Sequence, residues 1–267
     1  MTIAAPTPVH FLVAVGGALV VLGSLAVARA PVTRSTPAAV VPWAVVAACL
    51  HHLALQGLYP PSVEPLFGGT LVGPTTFALA GGLWLLLRGV AIVRDRPERG
   101  SFLAASGVGA AVALGIVTLS VVPLDRGDAV VLVGVPGLAA VLAAVGYLSL
   151  GFVDPPAFAR GRFAGYLVAF AGTFDGVASA LLVDVVGRSV ARPSVELALA
   201  VDTALGLPAA LGVGWLLVVP RLVGSLVAVA LLTRGSASTE LYRVLGLALL
   251  VATGIGPGVA AVLEATG

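Results

Sequence analysis

The chain has 267 residues, 59% of them hydrophobic and another 34 of them glycine, with only 10% charged against the roughly 25% of a soluble domain. So few charges cannot cover a water-soluble protein of this size, which excludes a soluble enzyme and leaves a polytopic membrane protein. The 14 basic residues are all arginine and, with 12 acidic ones, give a net charge of +2; spread over many loops, they lack the clustered basic face that nucleic acid requires.

A spanning helix needs about 20 mostly apolar residues, because a rise of about 1.5 Å per residue must cross about 30 Å of hydrocarbon. Eight stretches qualify: 10–29, 38–57, 69–93, 101–123, 128–152, 162–186, 209–233 and 240–262. They predict an all-α transmembrane bundle in one integral domain over 1–267. The ten residues MTIAAPTPVH hold no Lys or Arg, so they do not form a signal-peptide n-region and the first run is expected to stay as an anchor.

The second span carries Cys49, the single cysteine, which rules out an intrachain disulfide. It also carries His51, His52 and Gln56 in CLHHLALQG. His52 and Gln56 share a face at i, i+4, whereas adjacent histidines point about 100° apart and cannot both reach one metal. No metal or other cofactor is expected. The histidines are expected to bond loop groups, with Glu64 as the obvious partner. The third span opens GGTLVGPTTFALAGG, where Pro74, Thr75 and Thr76 suggest a bent entry with hydroxyls on freed carbonyls.

Charges at mid-bilayer cost about 2.5–3.5 kcal/mol on insertion scales, and two stand out. Asp175 lies near the middle of the sixth span, on a face with Ala171, Gly172, Ala178 and Ser179. The opposite face carries Phe163, Tyr166, Phe170, Val177 and Leu181. Small residues mark helix packing and bulky ones lipid, so Asp175 is expected inside the bundle with Ser179 one turn on as a hydrogen-bond partner. Asp184 falls near the span's end as a boundary residue. The connection 187–208 is too polar to span and predicts a short interfacial helix at about 195–206.

Arg221 follows Pro220 near the middle of the seventh span. Its simplest partner is Asp175, either as an architectural pin or as the charged lining of a cavity. The last span contains TGIGPG at 253–258, which predicts a break near the outer face rather than an ion filter, since no pore helix precedes it.

Arginine placement sets orientation. Arg29, Arg34, Arg88, Arg94, Arg96, Arg99, Arg160, Arg162, Arg234 and Arg243 fall on one side, and Arg126, Arg188 and Arg192 on the other. The first set is expected to be cytoplasmic, with both termini outside and the protein multi-pass in the cell membrane. The chain has no lysine, hence no P-loop lysine and no retinal Schiff base, and it lacks HExxH and GxSxG, which disfavours an enzyme.

The stretches HHLALQGLYPPSVEPLFGGTLVGPTTF, FAGTFDGVASALLVD, VPRLVGSLVAVALL and GLALLVATGIGPG resemble, in order, the archaeal multi-pass membrane proteins catalogued as domain of unknown function 63, most like the haloarchaeal members. The resemblance places the family's sixth-helix Asp on Asp175, its hydroxyl on Ser179, its post-proline basic residue on Arg221, and its closing element on Gly254, Pro257 and Gly258. Gly172 stands where members often have His, and Ala260 where they have Arg. The resemblance implies an archaeal integral membrane protein and no activity.

Three functional classes follow. Small-solute or proton-coupled transport rests on Asp175, Arg221 and the Pro- and Gly-interrupted third, seventh and eighth spans. A structural or assembly subunit, with a protein partner or a second copy alongside membrane lipids, suits the small-residue faces. A lipid-modifying enzyme ranks last, because it needs a second acid or base near Asp175 and only His52 is available.

Overall fold

In a computed structural model the described residues are 5–28, 32–93, 101–121, 126–187, 193–206, 212–234 and 240–266. All regular structure among them is helical. The long helices are α1 (Pro8–Val27), α2 (Thr36–Leu55), α3 (Val72–Val93), α4 (Ser101–Val121), α5 (Arg126–Val153), α6 (Pro155–Asp184), α7 (Pro193–Leu205), α8 (Gly214–Thr233) and α9 (Glu240–Ala265). Among the described residues, seven of these helices, α1, α2, α4, α5, α6, α8 and α9, are long and apolar enough to cross a membrane. The expected third span is α3, whose 22 residues reach about 33 Å by helical rise. The 13 residues of α7 are too short to cross. The chain is a multi-pass helical membrane protein. The arginine-rich segment 94–100 and Arg29, Arg188 and Arg192 lie outside the described residues.

The chain divides into two compact units, one of residues 1–33 and 39–121, the other of 34–38 and 122–267. In the first, Trp43, Val46 and Leu50 of α2 pack with Ala80 and Trp84 of α3 and Leu103 of α4. The Trp43 indole N–H donates to the Leu103 carbonyl at 3.0 Å. Gly107 lets the indole approach, since a Cβ there would lie 2.7 Å from the ring. The α1 helix contains one π turn, Leu12–Gly16, and packs through Val21 against Gly81 of α3, where no side chain would fit.

The α2 helix stops at Gly57, whose φ of 69° is a left-handed conformation that a Cβ would disfavour. The Gly57 N–H donates to Ala54 at 2.9 Å and the Leu58 N–H to Leu53 at 3.2 Å, which satisfies two terminal carbonyls of the helix.

In the second unit α6 is the central helix. Asp154 caps it by accepting the Ala157 N–H at 3.1 Å, and two prolines follow at its first positions, where their missing N–H groups cost nothing. The helix breaks at Arg162 (φ 48°, ψ −141°). A short leading piece, 155–161, therefore precedes the span proper, 163–184.

Around that span, glycines bring backbones together. A Cβ at Gly176 would lie 3.0 Å from Val218 Cα of α8, and one at Gly254 of α9 would lie 2.6 Å from the Ala171 carbonyl. Tyr147 of α5 fills the space beside Gly161 and Gly165, and its hydroxyl donates to the Phe158 carbonyl at 3.0 Å.

Two expectations fail against the fold. Val177 is buried rather than lipid-facing, because α6 is enclosed by α8 and α9 and every residue from 173 to 179 is buried. The TGIGPG segment is not a break: α9 runs through it, with Pro257 inside the helix. Its Gly254 and Gly258 form the seam with α6.

Candidate functional site

Asp175 and Arg221 form an ion pair between α6 and α8. The Asp175 side chain is 7% exposed and the Arg221 side chain 22%, so the arginine is the less enclosed of the two. Gly176, adjacent to the aspartate, is what lets α8 come close enough: its Cβ would lie 3.4 Å from Arg221 Cδ and 3.1 Å from the Leu217 carbonyl. Gly172, a turn earlier, faces Ser225 and the Arg221 carbonyl. From the other side, Gly258 of α9 lies against the Asp175 backbone N–H and the Phe174 ring. Prolines stand on both flanking helices at this level, Pro220 beside Arg221 and Pro257 beside Gly258. Each removes one backbone donor and leaves a carbonyl of the preceding turn without its helical N–H.

Ser179 is on the aspartate's face and 1% exposed. Its hydroxyl has no hydrogen-bond partner among the described residues, so the expected bond to Asp175 is not made. Ser225 occupies the corresponding place on α8, one turn beyond Arg221. The helices run antiparallel, as the pairings Gly172–Ser225 and Gly176–Val218 require. The two serines therefore flank the ion pair from opposite ends.

The same two helices are fastened again at their ends. Asp184, the last residue of α6, accepts the Val213 N–H at 3.0 Å and the Gly214 N–H at 2.7 Å, capping α8 from a neighbouring helix. Gly214 is required there, since a Cβ would lie 2.6 Å from the Asp184 carboxylate, and Gly212 makes the turn at φ 63°. At the other end Arg160 donates to the Thr233 carbonyl at 2.9 Å, covering the C-terminus of α8. Arg234 pairs with Asp154 at 3.2 Å. The Ala157 N–H, helped by the Arg234 guanidinium, holds the Asp154 carboxyl below its ordinary range.

These end contacts were not expected from the sequence, although an aspartate closing one span and an arginine following another are the signals that carry them.

In the first unit, polar side chains from three helices converge on one loop. His10 of α1 donates to the Ser62 carbonyl at 3.0 Å, His51 of α2 to Phe67 at 3.1 Å, and Thr75 of α3 to Leu66 at 2.9 Å. A carbonyl partner fixes the donating ring nitrogen of each histidine. The partner of His51 is thus a loop carbonyl rather than Glu64. His52 is buried with its Nε2 at 3.4 Å from Gln56 Nε2 and its Nδ1 without a hydrogen-bond partner among the described residues. Thr76 is buried and its hydroxyl does not meet a carbonyl. Among the described residues no group of three or more His, Cys, Asp or Glu could hold a metal ion. No family model, curated protein or solved structure matches the chain.

Proposed function

We propose that the protein moves a small solute or protons across the membrane, with Asp175 and Arg221 as the working groups. The observation that supports this is redundancy. The register of α6 against α8 is fixed at one end by Asp184 on Val213 and Gly214, and at the other by Arg160 on Thr233 and by Asp154 with Arg234. Glycine contacts specify it again in the middle. An ion pair adds no further register information there, and apolar residues of similar volume in such places are often neutral or more stable. A costly pair kept without a packing need, with Pro220 next to Arg221 inside α8 and Pro257 inside the neighbouring α9, suits a site that changes its charge or its partner.

The assembly-subunit alternative loses one support, because the small-residue faces of α6 and α9 are filled by helices of the same chain.

The test is reconstitution into liposomes carrying an internal pH indicator, with ion and solute gradients imposed in turn. The reading predicts a flux that Asp175→Asn reduces at least tenfold. Absence of flux under every gradient, or flux untouched by Asp175→Asn, would contradict it.

A further inference from the structure

We propose that the Asp175–Arg221 pair loads a proton and a small monovalent anion together, the proton on the carboxylate and the anion on the guanidinium. The inference rests on the transport reading and adds its substrate class.

At rest one negative and one positive group cancel. A guanidinium does not give up its proton in a protein, so only Asp175 can change its charge. A proton alone leaves the buried site at +1, and an anion alone leaves it at −1; either state puts a net charge where charge is most expensive. The two together leave it neutral: the carboxylate becomes a carboxylic acid, and the anion replaces it as the counter-charge of Arg221. A monovalent cation taken up by Asp175 would likewise leave the site at +1 and would displace the guanidinium from its partner.

The geometry suits an anion. The Arg221 side chain is less enclosed than that of Asp175, and its planar fork suits the paired oxygens of a carboxylate-shaped or nitrate-shaped ion. The Ser179 hydroxyl, enclosed one turn along α6 from Asp175 with no hydrogen-bond partner among the described residues, is a further donor at one end of the pair. The group facing Asp175 from α8 is Arg221. From α9 the facing residues are Gly254 and Gly258, with Glu264 further along near the helix end. α5 carries Tyr147 beside Gly161 and Gly165, and Asp128 in its first turn toward the opposite end. Asp184, further along α6, is occupied by the α8 N-terminus.

The test reads binding rather than flux. Thermal unfolding of the purified protein in detergent is followed as sodium formate replaces sodium gluconate at constant ionic strength. For the unsubstituted protein, formate should raise Tm by about 5 °C at mildly acid pH and leave it unchanged at neutral pH, the size expected of a ligand near a hundred times its Kd. Asp175→Asn should show the rise at neutral pH already, and Arg221→Gln at neither pH. Should Asp175→Asn fail to fold, the acid-against-neutral comparison in the unsubstituted protein carries the test alone. No formate response at acid pH, or a response that survives Arg221→Gln, overturns the inference. Liposome flux without a formate response overturns this inference and leaves the transport reading standing. A formate response without flux supports the anion site and removes the transport reading.

Discussion

The two units use polar side chains in opposite ways. In the first, His10, His51 and Thr75 reach from three helices to carbonyls of one loop between Ser62 and Phe67. In the second, Asp184, Asp175, Arg221, Arg160 and Arg234 join α6 to α8 or its flanks at both ends and in the middle. The first pattern satisfies backbone that would otherwise be unpaired near the apolar phase. The second does that at the helix ends; its central pair joins two oppositely charged side chains across the helix interface. A histidine in a membrane helix is therefore weaker evidence of function than a charge pair between helices already held by other means.

The largest expected effect separates filled seams from open ones. Gly254→Leu drives a side chain into the Ala171 backbone and should cost about 3 kcal/mol or prevent recovery of folded protein. Gly109→Leu on α4, where nothing lies within 4 Å, should leave thermal stability unchanged. Equal losses would show that the glycine contacts do not organise the second unit.

Next comes the end clamp. Asp184→Ala exposes the Val213 and Gly214 N–H groups and should lower stability by about 1–2 kcal/mol, with faster hydrogen exchange at the start of α8. Exchange unchanged at those amides would remove the clamp from the account.

Arg162→Gly should act in the other direction. An exposed arginine at φ 48° holds a backbone shape that glycine adopts freely, so the change should stabilise by about 1 kcal/mol. A loss of stability would mean that the side chain does more than the backbone costs. The smallest effect belongs to the first unit: His51→Ala forfeits one hydrogen bond to Phe67, about 1 kcal/mol or less, and should leave liposome flux unchanged. A flux defect there would break the contrast between the units.

The spans and the central charges were legible because charge and apolar length are read directly along a sequence. Asp175 and Arg221 each interrupt a long apolar run, and each demanded a partner. The end contacts were not legible, because an aspartate at position 184 looks the same whether it meets water or another helix's N–H groups. Gly254, Pro257 and Gly258 read as a helix break because glycine and proline weaken a helix in isolation. Packing against Ala171 and Phe174 reverses that sign, and the glycines become the condition for close approach. Val177 read as lipid-facing for a related reason: helical periodicity gives one inward face, whereas a helix enclosed on several sides has more than one.

The measurement that bears most directly on the central claim is the thermal stability and flux of the double replacement Asp175→Leu with Arg221→Met. If the pair is retained for function, the variant folds with a stability within about 1 kcal/mol of the unsubstituted protein and carries no flux. If it fails to fold, or unfolds with a large loss while other α6–α8 contacts are intact, the pair is architectural, and the functional reading of Asp175 and Arg221 is wrong.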